Sequence, residues 1–202
     1  SVLVESQLVN SSSNPRTMQH LVIVLDKDGA EVANIMGERR TIASGDTVKL
    51  KSIVDINNVH LWSWGYGYLY TVKSILLDVS TQNPAGKECD VAIVQNAGGK
   101  VYDVATIQTG FRKTEYKDGM FYLNNRVLQL KGFAQRSTNE WPAVGISLPT
   151  WMTDYSNSQI LGCNGNFVRW MHVTPSKQDV RSFDRLGLIQ AMPAGDAEKD
   201  VD

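Results

Sequence analysis

The feature of this sequence that most restricts its fold is a change in hydrophobic pattern near Gly110. Before that residue, short runs of alternating apolar and polar residues are separated by turns rich in Gly, Asn, Asp and Pro. Such runs are typical of the antiparallel strands of a β-sandwich. After it, short apolar strands alternate with stretches of helical pattern, which is typical of parallel βα units. The sequence therefore predicts two regions of different architecture.

The first region, residues 1–112, is predicted to be an antiparallel β-sandwich. "HLVIVLDKDGAEVANI" places two apolar runs around Asp26-Lys27-Asp28-Gly29, which predicts a hairpin. In "DTVKLKSIV" apolar residues alternate with lysines, which predicts one buried and one solvated face. Further strands are expected in "YLYTVKSILLDV" and on both sides of the turn in "CDVAIVQNAGGKVYDVATI".

The second region, residues 113–202, begins with a predicted hairpin in "MFYLNNRVLQLKGF", whose turn is Leu123-Asn124-Asn125-Arg126. "TWMTDYSNSQILGCNG" predicts a helix that ends at Asn164-Gly165. "PSKQDVRSFDRLG" predicts a second helix, with Pro175 in its first turn, Ser176 as its cap and Gly187 as its stop. Asp184-Arg185-Leu186-Gly187-Leu188 is predicted to have a structural role, ending this helix and starting the next strand. "NFVRWM" and "LIQAM" are short apolar strands placed before and after this second helix.

The number of parallel strands is small. About three are recognisable, whereas a closed (β/α)8 barrel needs eight. The chain then ends at Asp202 in the charged "DAEKDVD", which supplies no further element. The second region is therefore predicted to be the beginning of a larger structure. Its unpaired sheet edge and apolar face predict aggregation, dimerisation or a disordered second half in solution, so a homo-oligomer is one expected outcome.

Composition excludes several classes of partner. The 202 residues carry a net charge of −1, so nothing in the charge balance predicts binding to nucleic acid or to a membrane surface. No apolar stretch approaches the roughly 20 residues of a membrane-spanning helix, and the first residues lack a signal-peptide pattern. The two cysteines, Cys89 and Cys163, are too few for a disulfide framework and are expected to be free or buried.

A series of short motifs carries a family resemblance. In chain order they are Leu61-Trp62-Ser63, Leu69-Tyr70, Gly110-Phe111-Arg112, Leu123-Asn124-Asn125-Arg126, Lys131-Gly132, "NFVRWMHVTP" and "FDRLGL". Their order and spacing resemble glycoside hydrolase family 2, the family of β-galactosidases, β-glucuronidases and β-mannosidases. The resemblance covers nearly the whole chain.

The resemblance implies a fold and an activity. The fold is mainly β and then α/β: an immunoglobulin-like antiparallel β-sandwich followed by the first βα units of a (β/α)8 barrel. The activity is that of a retaining exo-β-glycosidase, most closely of β-galactosidase type, which acts on a carbohydrate substrate with no cofactor and no metal assigned here. Such enzymes use two carboxylates about 5–5.5 Å apart. The resemblance places both catalytic glutamates on later barrel strands, so no catalytic residue is assigned within this chain.

Arg169 and His172 are the first candidate substrate-binding residues. They match the family's valine-arginine and histidine pattern at the carboxyl end of the second parallel strand, where barrel enzymes build their active sites. An arginine there can hold the charge of a carboxylate, and a histidine can donate to sugar hydroxyls. The alternative is structural: Arg169 pairs with a neighbouring carboxylate and His172 is satisfied by the backbone.

Arg136, Glu140 and Trp141 follow the first parallel strand and are further candidates. The family has asparagine, a variable residue and histidine after the glycine of this strand, and this chain has Ala134-Gln135-Arg136 instead. Arg136 and Glu140 are candidate sugar-binding groups, and Trp141 offers an apolar face to a pyranose ring. The alternative role for Trp141 is packing of the loop.

Asp196 is the last candidate substrate-binding residue. After the third strand the family commonly has an aspartate-glutamate pair, but this chain has Met192-Pro193, with Asp196 displaced along the chain. A carboxylate there can accept hydrogen bonds from sugar hydroxyls. The alternative is a solvated charged loop.

Two alternatives to an enzyme remain open. The first is a non-catalytic carbohydrate- or protein-binding sandwich, for which an exposed aromatic row is required. Strict alternation in "WSWGYGYLY" would place its five aromatic residues on one side of a strand, although its two glycines weaken that reading. The second is a catalytically inactive relative that ends at Asp202 and serves in assembly.

Overall fold

The computed structural model describes residues 1–80, 100–135, 148–171 and 174–192. The chain forms two compact units. Unit 1 comprises Ser1–Val59 and Tyr70–Thr109, and unit 2 comprises His60–Leu69 and Gly110–Asp202. A segment of ten residues, 60–69, thus belongs to unit 2 although both of its sequence neighbours belong to unit 1; we call it the inserted segment. The domain boundary predicted after residue 112 stays a prediction.

Unit 1 consists of antiparallel strands, as predicted. They are β1 (Val2–Val9), β2 (Arg16–Leu25), β3 (Glu31–Ile42), β4 (Thr47–Val54), β5 (Tyr70–Asp78) and β6 (Lys100–Thr109). One sheet has the order β3-β2-β5-β6, and β1 pairs with β4 in a second sheet. The sequence "CDVAIVQNAGG", in which a further strand and turn are predicted, lies outside the described residues.

Local sequence signals in unit 1 are confirmed. The hairpin between β2 and β3 turns at the predicted residues, where the Asp26 carboxylate accepts hydrogen bonds from the backbone N–H groups of Asp28 and Ala30. Gly29 takes the left-handed conformation, with φ of 84°, that this turn requires. Strand β4 alternates as predicted, with Leu50 buried and its lysines in solvent.

The core of unit 1 combines an apolar cluster with one buried imidazole. Side chains from β2, β5 and β6 form the cluster: Leu21, Ile23, Ile75, Leu77 and Val101. His20 is 2% exposed and connects the two sheets. Its Nδ1 lies 3.0 Å from Ser52 Oγ on β4, and its Nε2 lies 2.8 Å from Ser74 Oγ on β5. Burial lowers the pKa of His20.

Unit 2 begins with a small antiparallel sheet. Its strands are β7 (Thr114–Lys117), β8 (Met120–Leu123) and β9 (Arg126–Val127). The predicted turn between β8 and β9 is confirmed: Asn124 and Asn125 both have positive φ angles, of 52° and 66°. This is the geometry of a tight two-residue hairpin loop, which asparagine tolerates better than most residues.

The predicted parallel βα pattern follows. Strands β10 (Gly132–Gln135), β11 (Phe167–Trp170) and β12 (Ile189–Ala191) form a parallel sheet in that order. Helices α1 (Thr150–Gly162) and α2 (Lys177–Leu186) connect these strands. Ser176 caps α2 through a capping box with Asp179, and Gly187 ends the helix with φ of 75°, as predicted. Pro175 stands just before the cap rather than in the first turn.

Two further observations concern single features. Cys163 is an exposed free thiol, as expected, while Cys89 lies outside the described residues. None of the helices in the described part of the chain has the length and apolar character needed to cross a membrane.

The buried imidazole generates a pH prediction. Because the folded-state pKa of His20 is lowered, the unfolded chain binds more protons than the folded chain below the unfolded-state value of about 6.5. The free energy of unfolding of unit 1 is therefore expected to fall as the pH drops from 7 to 5. Denaturant unfolding at a series of pH values, followed by far-UV circular dichroism, measures this loss.

His20→Gln is expected to reduce the pH dependence between pH 7 and 5. His60→Gln, which changes an exposed histidine of unit 2, serves as the matched control and leaves the pH dependence of unit 1 in place. An unchanged slope in His20→Gln would contradict the assignment.

Candidate functional site

The candidate substrate side of unit 2 is the face of its parallel sheet that points away from α1 and α2. Val168 and Trp170 on β11 point toward the helices and are 0% and 1% exposed. They pack with Ile160 of α1, Phe183 of α2 and Leu188 in one apolar cluster. Because side chains alternate along a strand, Arg169 between them points away from the helices. It is exposed.

The neighbours of Arg169 in the sheet are small. In the parallel register Arg169 lies beside Ala134 of β10 and Ala191 of β12. In-register neighbours point to the same side of a sheet, so the arginine side chain rises between two methyl groups. Of the six predicted substrate-binding residues, Arg169 alone lies within the described residues.

The other five predicted residues are Arg136, Glu140, Trp141, His172 and Asp196, and all lie outside the described residues. Arg136 follows directly after the last residue of β10, and His172 is separated from β11 by Met171 alone. Their roles stay predictions. Within residues 1–80, 100–135, 148–171 and 174–192, no group of three or more His, Cys, Asp or Glu side chains is placed to bind a metal ion.

The inserted segment, residues 60–69, contacts the parallel sheet at the amino ends of its strands, opposite to the predicted substrate site. The indole N–H of Trp64 donates to the Gly165 carbonyl at 3.0 Å, just before β11. The Gly65 amide donates to the Gly187 carbonyl at 3.0 Å, just before β12. The inserted segment therefore packs at the amino ends of these strands. The substrate site is predicted at the carboxyl ends, which are the other ends of the same strands.

Trp62 is the centre of this packing. Its buried indole donates to the Asp184 carbonyl at 2.8 Å, which satisfies one of the acceptors left unpaired in the last turn of α2. Its backbone N–H donates to the Phe111 carbonyl, and its carbonyl accepts from the Asn124 side chain. The Arg112 guanidinium lies 5.1 Å from the centre of its ring.

Several of the family-like motifs thus meet at one place. Trp62 contacts Phe111, Arg112 and Asn124 directly, and its indole contacts Asp184 at the end of α2. The structural role predicted for Asp184-Arg185-Leu186-Gly187-Leu188 is confirmed. Burial raises the pKa of the Asp184 carboxyl, and the nearby Arg112 and Arg185 oppose that rise.

The single-sided aromatic row is not formed. The inserted segment turns at Trp64-Gly65, where Gly65 has φ of 64° and an isolated bridge joins Ser63 to Tyr66. Trp62, Tyr68 and Tyr70 are buried, whereas Trp64 and Tyr66 are 38% and 46% exposed. Alternation fails here because the segment is not a strand. The feature required by a carbohydrate-binding sandwich is therefore missing from this stretch.

Sequence reasoning missed the polar side chains behind the parallel sheet. Gln135, Asn157 and Ser182 form a hydrogen-bonded relay between β10, α1 and α2. The Trp170 indole N–H donates to the Gln190 side chain at 2.8 Å, which ties β11 to β12. The glutamines and Asn157 carry no motif, and a helical pattern predicts apolar rather than polar residues at buried positions.

Comparison with known proteins shows similarity to one enzyme family. Residues 1–85 match the sequence model of glycosyl hydrolases family 2. A β-glucuronidase of Formosa agariphila is 28% identical over 200 residues, which cover 98% of this chain and 18% of that protein. A β-galactosidase of Thermoanaerobacterium thermosulfurigenes is 34% identical over 82 residues, which cover 40% of this chain and 11% of that protein.

A solved structure agrees with these matches. The structure of a β-glucuronidase from glycoside hydrolase family 2 has a TM-score of 0.79 and 28% identity over 99% of this chain and 19% of its own. The chain resembles glycosyl hydrolases family 2, and the resemblance predicted from its motifs is confirmed. It spans about a fifth of the length of the β-glucuronidases that it matches.

The close packing of the inserted segment generates a stability prediction. A Cβ on Gly67 would lie 2.0 Å from the Arg185 carbonyl oxygen, a contact that backbone atoms cannot relieve without moving. Gly67→Ala is therefore expected to destabilise unit 2 by about 2 kcal/mol or more. Denaturant unfolding followed by tryptophan fluorescence measures this, because all five tryptophans of the chain belong to unit 2.

Gly162→Ala is the matched control. A Cβ on Gly162, at the end of α1, meets nothing within 4 Å, so this substitution is expected to leave stability unchanged or to raise it by up to about 1 kcal/mol. Equal stability of the Gly67→Ala and Gly162→Ala variants would show that the inserted segment is not packed as described.

Proposed function

We propose that this chain is part of a longer retaining exo-β-glycosidase, which removes terminal β-linked sugars from oligo- or polysaccharides. In this proposal, unit 1 is an immunoglobulin-like β-sandwich and unit 2 contains the first three strands of a (β/α)8 barrel. The single observation that carries it is the parallel sheet of a chain that resembles family 2, covered by helices on one face and presenting Arg169 on the other.

The position of the helices on one face of the parallel sheet supports the barrel assignment. In a (β/α)8 barrel the helices lie outside, and the inward face of each strand is closed by the other strands. Arg169 would then point into the barrel near the carboxyl end of β11, the end at which such barrels bind substrate. The small neighbours Ala134 and Ala191 fit a position that must leave space for a ligand.

The proposed chemistry divides the work between this chain and the rest of the protein. One carboxylic acid protonates the leaving oxygen, and a second carboxylate about 5–5.5 Å away attacks the sugar and forms a glycosyl-enzyme. We assign neither group to this chain. Arg169 holds negative charge at the site, and His172, Arg136, Glu140, Trp141 and Asp196 contact the sugar. Double displacement of this kind needs no redox cofactor.

Two sugars are candidates for the substrate. The sequence motifs favour a β-galactoside, and the similarity to a β-galactosidase over 82 residues supports that choice. A β-glucuronide is the second candidate, because the relative that matches 98% of this chain is named a β-glucuronidase. An arginine suits either role, since it can hold an enzyme carboxylate or a substrate carboxylate. Self-association of the chain stays a prediction.

The test is hydrolysis of nitrophenyl β-galactoside, β-glucuronide and β-mannoside by the complete protein. Turnover of at least one of them is expected, and none by residues 1–202 alone, because the carboxylate pair is placed elsewhere. Arg169→Ala in the complete protein is expected to lower kcat/KM between about tenfold and a hundredfold, the loss of a hydrogen bond to a charged group.

Arg181→Ala is the matched control, because Arg181 is an exposed arginine on α2 in the same unit. It is expected to leave kcat/KM unchanged. Failure of the complete protein to hydrolyse any β-glycoside would contradict the proposed function. Turnover by residues 1–202 alone would contradict the placement of both carboxylates.

A further inference from the structure

We propose that Asn157, buried between α1 and α2, is a positioning residue for the substrate site. It acts through Gln135 and holds the carboxyl ends of β10 and β11, from which the predicted substrate-binding residues continue. The inference rests on the proposed function for its kinetic consequence. Its structural part stands on the hydrogen bonds among described residues.

The relay consists of two hydrogen bonds. Gln135, the last residue of β10, donates from Nε2 to Asn157 Oδ1 on α1 at 3.0 Å. Asn157 donates from Nδ2 to Ser182 Oγ on α2 at 3.0 Å. Asn157 and Ser182 are both 0% exposed. One end of the relay is thus the carboxyl end of a strand, and the other is the interior of the helix pair.

Gln135 also connects β10 to β11. Its backbone carbonyl accepts a hydrogen bond from the Met171 amide at 2.8 Å, beyond the last residue of β11. Met171 precedes His172 in the chain, and Gln135 precedes Arg136. A single residue, fixed by Asn157 through its side chain, therefore holds the two strand ends that lead into both predicted substrate-binding positions.

The energetics favour a positioning role over simple stabilisation. A buried amide without partners costs about 1–3 kcal/mol, and a satisfied one adds little net stability. An apolar residue of similar size at position 157 would pack between the helices without that penalty. An apolar residue at position 157 could not fix the orientation of the Gln135 side chain, because that orientation is set by hydrogen bonds.

The helix pair already has other means of cohesion. Gln178 of α2 donates to Thr153 of α1 at 3.0 Å, and Arg185 of α2 pairs with Asp154 of α1 at 2.7 Å. Neither contact reaches β10. The Asp154–Arg185 pair therefore offers a control that weakens the same two helices without touching the relay.

The experiment compares four variants of the complete protein: Asn157→Leu, Gln135→Met, the double variant and Asp154→Asn. Leucine and methionine match the size of the residues they replace but make none of the hydrogen bonds. Each relay variant is expected to lower kcat/KM by about tenfold or more, because small displacements of binding groups are costly. Asp154→Asn is expected to lower the unfolding temperature without changing kcat/KM.

The double variant separates positioning from independent damage. If Asn157 acts through Gln135, the double variant loses no more activity than the single variants, because both remove one path. Multiplied losses would overturn the proposal, and so would Asn157→Leu with a lowered unfolding temperature but unchanged kcat/KM. Gln135→Met changes a half-buried strand end, so it provides the test even where Asn157→Leu does not fold.

Hydrogen–deuterium exchange tests the relay independently of activity. The peptide containing Met171 is expected to exchange faster in Asn157→Leu and Gln135→Met than in Asp154→Asn, because the amide that Gln135 holds is released. If the complete protein hydrolyses no glycoside, the proposed function fails and this measurement alone decides the positioning of the strand end. Equal exchange in all variants would overturn the inference.

Discussion

The hydrogen bond from the Trp62 indole to the Asp184 carbonyl is the contact on which the order of unit 2 depends. It brings together the end of α2 and a segment that lies between two strands of unit 1 in the sequence. Gly67 and Gly187 permit this approach, because a side chain at either position would overlap backbone atoms. The amino ends of β11 and β12 are consequently set by the inserted segment as well as by their own helices.

The two ends of the parallel strands carry different kinds of residues. Several of the family-like motifs lie around Trp62, at the amino ends of the parallel strands. There they form packing contacts rather than a binding site. Near the carboxyl ends of the strands, Arg169 lies between two alanines. On the helix side of the sheet, polar side chains hold the strands in place. In barrel enzymes, residues at the amino ends of the strands serve stability and residues at the carboxyl ends serve activity.

Short-range signals in the sequence predicted much of the described fold. The turns at Asp26–Gly29 and Asn124-Asn125, the Ser176 cap and the Gly187 stop were all readable, because each depends on a few consecutive residues. Alternation in β4 and the parallel pairing of β10, β11 and β12 followed from the same kind of pattern.

Long-range contacts were not readable in this way. Nothing near Trp62 indicates that its indole meets a helix end far along the chain, and the "WSWGYGY" alternation suggested a strand where Gly65 forms a turn. The sequence did not indicate that Asn157 is buried, because helical periodicity predicts apolar residues at buried positions. This amide is buried together with its hydrogen-bond partners. Of the candidate site, the sequence located Arg169 through a family pattern, but its small neighbours needed the strand register.

The most direct test of the central claim is to find the nucleophile of the complete protein. A 2-deoxy-2-fluoro β-glycoside of a sugar that the protein hydrolyses accumulates the glycosyl-enzyme, and peptide mapping by mass spectrometry then locates the labelled residue. We expect a labelled glutamate outside residues 1–202, with Arg169 needed for efficient labelling. A label on any carboxylate within residues 1–202 would overturn the proposed function of this chain, because it would place the nucleophile in the part assigned to the scaffold and the pocket wall.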